Sequence, residues 1–386
     1  MSRRPVRAAF LVACHDIGGF ETKLDHLMRH LDRRRVRPSV ILLYPGYKAR
    51  RTDEAVRIRQ RAFFQWPEIE TVEIPMRGRF DLPAIARSAS ALRRMRPDVM
   101  LYFALGPGTF AGPAAARLAG VPTVIRAQDT VIEGLYPGPL RPADRLLLKD
   151  TDRIVVPSAF LKGIIVRGLG VRPGLIDVIP NGIDLSRFRT VRPKPGLAAS
   201  LGFGPKDRLV GITANLVPVK NHRLLLEAAP VVLKAVPHAR FLLIGEGPLK
   251  SELMRLAESL GISSVVRFLG YRSDVRNLIP LLDAGLLCSH IETHGIALIE
   301  MMAAAVPVAA PAVGGIPEII RDGENGLLFP PSDAGRLAAA LIRMLRDKPL
   351  ALRLSAAGRR SAFERFPVER MARDFESLLE NAWRDA

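Results

Sequence analysis

The chain is short of cysteine and has no long apolar run, and each shortage narrows what it can be. Its two cysteines, Cys14 and Cys288, each sit inside an apolar stretch and lack the C-x-x-C spacing of a metal or redox site. They read as a pair of buried, reduced thiols in a cytoplasmic protein. No apolar stretch approaches the ~18–20 residues of a membrane-crossing helix, because Gly, Pro or charge interrupts the longest candidates. The basic start, residues 1–7, is not followed by a small-residue cleavage site, so residues 8–14 read as a first strand rather than a leader. Polar low-complexity tracts are also missing, and the whole chain is expected to fold. Helix-turn-helix, zinc-finger and aromatic RNA-binding patterns are absent, which makes nucleic acid the weakest partner class and leaves it out of the expected partners.

What is present is length and positive charge. At 386 residues the chain has room for two domains, each with its own core. It carries 57 Lys+Arg against 38 Asp+Glu, a net charge of +19. The excess is concentrated in residues 1–190, which hold 32 basic and 18 acidic side chains. Residues 29–37 and 48–66 combine clustered Arg with Phe63, Phe64 and Trp66, a composition suited to the interface of an anionic membrane. An ordinary solvated helix face with a core-facing aromatic stripe explains the same residues equally well.

Short apolar runs ending in Gly, Pro or Asn alternate with helical patterns along the whole chain, which argues for parallel sheets with crossover helices. Strands are expected at 8–13, 40–43, 99–103, 123–125, 154–156 and 177–179, then at 209–213, 241–244, 265–268, 284–288, 306–309 and 327–329. The same alternation occurs twice. Between the two series, residues 187–204 concentrate Pro193, Pro195, Gly196, Gly202 and Gly204. The expected division is therefore a first α/β domain at 1–190, a linker at 191–204 and a second at 205–366. A helix at 367–386 follows, whose apolar stripe of Val368, Met371, Ala372, Phe375, Leu378, Leu379 and Ala382 must pack on something, with the first domain as one host. Two such doubly wound, Rossmann-like domains are expected to face each other across a cleft, with ligands at the carboxyl ends of the strands.

Three constellations lie at those strand ends. Gly18-Gly19, between the first strand and a helix, would let backbone amides approach a phosphate at the positive end of the helix dipole, although a glycine pair alone is equally a plain turn. Asn215 and Lys220 follow the strand at 209–213, where an ammonium can face a leaving diphosphate, although most lysines are simply solvated. The richest is Ser289-His290-Ile291-Glu292-Thr293-His294-Gly295-Ile296-Ala297-Leu298-Ile299-Glu300. Gly295 permits a turn, and the amides of Gly295, Ile296 and Ala297 at the start of a short helix make an anion seat. Glu300 lies ~6 Å further along the axis, about the step from a pyrophosphate to a ribose. Glu292 would stand on the other side of the phosphate, where a carboxylate can accept sugar hydroxyls. Taken alone, this carboxylate pair is as well read as a loop residue and a helix ion-pair partner. The turns Gly245-Glu246-Gly247-Pro248 and Val313-Gly314-Gly315-Ile316-Pro317-Glu318 are read as turn chemistry.

In their order these residues resemble glycosyltransferase family 4, the retaining enzymes of GT-B fold that act on nucleotide sugars. The resemblance runs from Gly18-Gly19 through Val156-Pro157-Ser158, Ile179-Pro180-Asn181-Gly182-Ile183-Asp184 and Lys220. It continues to the E-x7-E pair Glu292/Glu300, Val313-Gly314-Gly315 and Asn325-Gly326-Leu327-Leu328. It implies that Lys220 neutralises the donor diphosphate, Glu300 binds ribose, Glu292 holds the transferred sugar, and Gly18-Gly19 with the 295–297 amides line the diphosphate. It implies front-face displacement without a metal, with a nucleotide-diphosphate sugar as co-substrate rather than a cofactor. The implied acceptor is a glycan or lipid-linked molecule on the first domain, and the implied location is the cytoplasm or the inner face of its membrane.

Three positions depart from the family pattern. Asn215 stands where an Arg is common, and Arg126 or Arg223 are the available substitutes. Arg126-Ala127-Gln128-Asp129 replaces a stretch that often holds a sugar-binding His, leaving Arg126 and Gln128 as acceptor-side candidates. Thr293-His294 replaces a frequent Gly-Phe beside the donor, which puts His294 on that wall. The altered Arg and His positions keep open a catalytically silent nucleotide-sugar-binding partner, and the shared architecture keeps open a GT-B epimerase or phosphorylase, whose acid–base residues or phosphate or cofactor site the sequence does not display.

Overall fold

The computed structural model describes residues 4–13, 19–45, 64–78, 80–104, 108–130, 148, 151–190 and 195–385. The chain divides into two compact units, Met1–Gly182 with Val368–Ala386, and Ile183–Pro367.

The first unit is built on seven parallel strands: β1 (Val6–Ala13), β2 (Val36–Pro45), β3 (Glu70–Met76), β4 (Val99–Phe103), β5 (Thr123–Ala127), β6 (Arg153–Val156) and β7 (Ile176–Val178). Their order is β3-β2-β1-β4-β5-β6-β7, so the winding reverses between β1 and β4. From Ala8 to Ala13 β1 is an unbroken apolar run, which is what a strand covered on both faces requires. Ala8, Phe10 and Val12 meet Leu24, Leu27 and Met28 of the helix Gly19–His30 on one face. Ala9, Leu11 and Ala13 meet the helices Leu82–Met95 and Gly108–Ala119 on the other. β3 is the strand that sequence reading missed. It sits at the sheet edge, contains Pro75 and exposes Glu70, Thr71 and Glu73, so its pattern lacks the apolar content of its neighbours.

The second unit holds β8 (Arg208–Thr213), β9 (Ala239–Ile244), β10 (Val266–Gly270), β11 (Ala284–Leu286), β12 (Val308–Pro311) and β13 (Leu327–Phe329). All pair in parallel, in the order β10-β9-β8-β11-β12-β13, with the reversal between β8 and β11. Both units are therefore Rossmann-like parallel sheets, the fold class of GT-B proteins.

The division falls at Gly182 and Ile183, ahead of the expected linker. Leu185, Phe188 and Phe203 are buried in the second unit's core, and the Ile183 amide bonds to the Phe366 carbonyl at 2.9 Å. The density of Pro and Gly at 187–204 marks a break in regular structure, whereas the change of core comes earlier.

The helix Val368–Arg384 belongs to the first unit, and its stripe from Val368 to Ala382 enters the same core as Phe10 and Leu24. Glu376, buried on this helix, accepts the Asp32 amide at 2.7 Å and Arg35 at 2.6 Å. The arginines at 29–37 are thus partly committed to internal pairing, since Arg29 also binds Asp25 at 2.8 Å and Arg34 binds Asp32 at 3.3 Å. Phe64 and Trp66 are buried with their rings 5.2 Å apart and tilted at 46°, and the Trp66 indole donates to Asp25 at 3.0 Å. For these two rings the core-facing reading replaces the membrane one, because burial in the core leaves them no apolar surface to insert. Residues 48–63, including Phe63, lie outside the described residues. No helix among the described residues is long and apolar enough to cross a membrane.

Candidate functional site

In the second unit the chemistry-bearing loops leave the two strands that flank the reversal, where an open parallel sheet receives its ligands. After β8 the chain forms a single turn at Pro218–Lys220. Asn221, in the left-handed region at φ 47°, then starts the helix His222–Ala235. This loop is pinned from behind. The Leu216 amide bonds to the Glu246 carbonyl at 2.9 Å, and the Leu249 amide bonds to the Leu216 carbonyl at 3.1 Å. Gly245 and Gly247 make that crossing possible, since a β-carbon on either would stand 2.0 Å from the Ala214 carbonyl oxygen or 2.5 Å from that of Leu216. Close backbone crossing is their role in this fold.

After β11 the chain passes under the same loop, with the His290 amide bonded to the Val219 carbonyl at 2.9 Å. This contact brings Lys220 Nζ to 2.6 Å from Glu292 Oε2. The hydroxyl of buried Ser289 donates to the same carboxylate oxygen at 3.1 Å. The Lys220 side chain is 26% exposed and that of Glu292 12%, so the pair is shielded enough to be strong and still open to a ligand. Asn215, exposed, lies on the same loop as Lys220.

Gly295, at φ 102°, starts the helix Ile296–Ala303. The amides of Leu298 and Ile299 turn back to the Gly295 carbonyl at 3.0 and 3.3 Å. Those of Gly295, Ile296 and Ala297 have no intrahelical acceptor, as the first turn of any helix requires. Glu300 is half-buried on this helix, and burial pushes its carboxyl up to about 7 while the Arg187 guanidinium pulls it down. Glu300 makes neither a hydrogen bond nor an ion pair with Lys220 or Glu292. His294, expected on the donor wall, precedes the glycine that starts this helix. It is 3% exposed and its ring stands edge-on to Phe366 at 5.6 Å, so its side chain packs in the second unit's core.

Two residues here were not singled out from the sequence. Ser289 is one. The other is His222, 1% exposed, whose ring nitrogens make no well-formed hydrogen bond among the described residues. Burial, followed by the charge of Lys220, pushes its imidazole down to about 4, so it stays neutral behind the Lys220 turn.

In the first unit Gly18 lies outside the described residues, and Gly19 is the exposed first residue of the helix Gly19–His30. Arg126 and Gln128 do come together. Arg126 Nε and Nη2 donate to Gln128 Oε1 at 3.0 and 2.9 Å, and Gln128 Nε2 donates to the Thr130 carbonyl at 2.7 Å. Both side chains are 1% exposed, and Arg126 Nη1 has no hydrogen-bond partner among the described residues. Lys23, also buried and missed from the sequence, pairs with Asp129 at 2.5 Å and stands 5.3 Å over the Phe375 ring. A lone lysine on a helix gives no sign of such a partner 106 residues away. No group of metal-ligating side chains forms among the described residues.

The two units match known proteins separately and together. Residues 17–187 match the family described as Glycosyltransferase Family 4, and residues 194–361 match Glycosyl transferases group 1. The chain is 27% identical over 336 residues to the N-acetyl-alpha-D-glucosaminyl L-malate synthase of Bacillus anthracis, covering 86% of this chain and 84% of that one. It is 27% identical over 328 residues to a GDP-mannose-dependent monoacylated alpha-(1-6)-phosphatidylinositol monomannoside mannosyltransferase of Corynebacterium glutamicum, covering 81% and 84%. Among solved structures, that of Anabaena HepE in complex with UDP-glucose superposes with a TM-score of 0.80 at 21% identity, over 97% of this chain and 100% of that one.

Proposed function

The chain belongs to glycosyltransferase family 4, the group 1 glycosyltransferases, and from that membership we propose that it moves a hexose-type sugar from a nucleotide-diphosphate donor to a lipid-linked or polysaccharide-precursor acceptor, with retention at the anomeric carbon. The observation that carries this reading is the 2.6 Å pair of Lys220 and Glu292, formed by the two loops at the β8–β11 reversal. A cation and a carboxylate held side by side suit a ligand that is an anion at one end and a polyol at the other. The Lys220 ammonium meets the diphosphate, the first amides of the helix Ile296–Ala303 add to it, and Glu292 accepts sugar hydroxyls. Glu300 takes the ribose.

The step proceeds on one face of the sugar. The bond from the anomeric carbon to the diphosphate oxygen breaks, and its electron pair leaves with the nucleotide diphosphate. The acceptor hydroxyl oxygen bonds to that carbon from the same side, and its proton passes to the departing phosphate oxygen. Catalysis is then positioning and charge stabilisation, with Lys220 and the helix amides supplying the positive field, so the reading includes no metal.

On the acceptor side, the free Nη1 of buried Arg126 suits an acceptor that carries an anionic group. The two relatives named above act, by their names, on L-malate and on a phosphatidylinositol mannoside, both anionic. Action at the cytoplasmic face of a membrane belongs to the same reading.

A thermal-shift screen across nucleotide diphosphates and their sugars tests the donor, because a ligand that binds only the folded chain raises its midpoint. One base and sugar should stand out. No shift with any nucleotide sugar would remove the reading. Proton NMR of the product then reports the anomer, and inversion would overturn the front-face step.

A further inference from the structure

The two side-chain oxygens of Glu292 are not equivalent. Oε2 takes both donors that reach this carboxylate, Lys220 Nζ at 2.6 Å and the Ser289 hydroxyl at 3.1 Å. Among the described residues Oε1 makes no hydrogen bond, and with the side chain 12% exposed it is the oxygen left for a ligand. The two donors differ in what else they can do. Lys220 ends the turn Pro218–Lys220 with its side chain 26% exposed, and its ammonium carries three protons and a full charge that a diphosphate attracts. Ser289 is 1% exposed, and the chain is held on both sides of it. The Leu287 amide bonds to the Ala309 carbonyl at 3.1 Å, and the His290 amide bonds to the Val219 carbonyl at 2.9 Å. A buried, neutral hydroxyl has neither the charge nor the reach to follow an anion. The Gly315 amide donates to the Glu292 carbonyl at 2.8 Å, so the main chain and the side chain of this residue are fixed by separate bonds.

We propose that Ser289 is a positioning residue for the donor sugar: it holds Glu292 so that Oε1 alone accepts from the sugar, and it goes on holding it when the Lys220 ammonium turns to the diphosphate. The Lys220 contact, an ion pair at 2.6 Å, is the stronger of the two on Oε2. A diphosphate competes for that ammonium with more negative charge than one carboxylate carries, so the Ser289 bond becomes the more constant of the two once a donor is bound. Without the hydroxyl, Glu292 regains rotamer freedom in the liganded state, and ordering it again subtracts from sugar affinity. The diphosphate gains nothing from Ser289, because its partners are Lys220 and the helix amides. The two halves of the donor therefore respond differently to this residue, whereas a serine that merely supported the fold would weaken both alike. The inference rests on the reading of Glu292 as the carboxylate of the transferred sugar and names what keeps that carboxylate in place.

The test is titration calorimetry of the full chain with UDP, UDP-glucose, UDP-N-acetylglucosamine, GDP and GDP-mannose. For the base that binds, the ratio of affinities for the nucleotide sugar and its bare diphosphate reports the share of the sugar. Ser289→Ala should lower that ratio by about tenfold and leave the diphosphate affinity within about twofold, with an unchanged circular dichroism spectrum. Glu292→Ala should lower the ratio at least as far. In the Glu292→Ala background the serine substitution should change the ratio by less than about twofold, because the hydroxyl acts through the carboxylate. Three results overturn the inference: a Ser289→Ala chain with the parent ratio, one that loses its fold or loses both affinities by the same factor, and losses that add in the double variant. If Glu292→Ala keeps the parent ratio, the sugar-binding reading of Glu292 falls and takes this role with it. If none of the five probes binds the parent protein, the transferase reading itself falls, and the inference with it.

Discussion

A β-carbon on Gly314 would stand 1.9 Å from the carbonyl oxygen of Glu292. The adjacent Gly315 amide donates to that carbonyl at 2.8 Å, so the loop after β12 clamps the backbone of the residue that pairs with Lys220. Gly314 is also in the left-handed region, at φ 59°. Replacing it with Ala adds a backbone clash to an unfavourable dihedral, and Gly314→Ala should cost more than about 3 kcal/mol. Denaturant titration of the whole chain checks this.

Lys220→Ala should lower kcat by about 10²–10³ while the chain stays folded, because the lost charge acts on the leaving diphosphate rather than on the core. Glu292→Gln should keep some activity and raise the donor KM. It preserves hydrogen-bonding capacity while releasing the ammonium from its 2.6 Å partner. Steady-state kinetics in both substrates separates the two effects.

The Glu300 carboxyl, held near 7, gives the donor site a pH signature. Only the ionised carboxylate accepts from both ribose hydroxyls, so donor affinity should rise as pH increases through about 7, and Glu300→Gln should flatten that dependence. Stability moves in the opposite sense. The folded chain holds this proton more tightly than the unfolded chain, so the contribution is complete below about 4.5 and is lost as pH rises through about 7. Glu300→Gln should therefore become the more stable protein above neutrality, by up to about 3 kcal/mol, measured by melting at several pH values.

Much of this was readable in the residues. The unbroken apolar runs of β1 and β8 mark strands covered on both sides, and Gly295 ahead of Ile296 marks a helix start. What could not be read is adjacency. Lys220 and Glu292 lie 72 residues apart and meet because β8 and β11 are neighbours, a consequence of the reversed winding that no local pattern encodes. Lys23 and Asp129 were missed for the same reason. A polar residue in a glycine-containing loop looks exposed in the sequence, and nothing local announces that the His294 ring packs edge-on against Phe366. β3 escaped because an edge strand needs only part of the apolar pattern that identifies its neighbours.

Asp98 is a structural rather than a functional site. Burial raises its carboxyl, but the hydrogen bonds from Arg4 and Arg7 overcome this and hold it well below the usual carboxylate range. That stability is complete above about 4 and is lost as pH falls through the lowered value. With both arginines about half exposed, Asp98→Asn should cost about 2 kcal/mol near neutrality, and the difference from the parent protein should shrink in acid melts.

Arg126→Met separates binding from folding. The variant removes a buried charge that has no carboxylate partner among the described residues but leaves the buried Gln128 oxygen without its two donors, so it should stay folded with a modestly lower melting temperature. Its acceptor KM should still rise by about tenfold or more for an anionic acceptor, with donor KM unchanged. Kinetics at saturating donor check this.

The helix Val368–Arg384 fills the first unit's core, yet the ribosome makes it only after the entire second unit. During synthesis the face of the sheet bearing Phe10 and Leu101 therefore waits without its cover while some 185 further residues emerge. The nascent amino-terminal half therefore carries an apolar sheet face that its own sequence cannot yet cover, the kind of surface that favours aggregation until the last helix arrives.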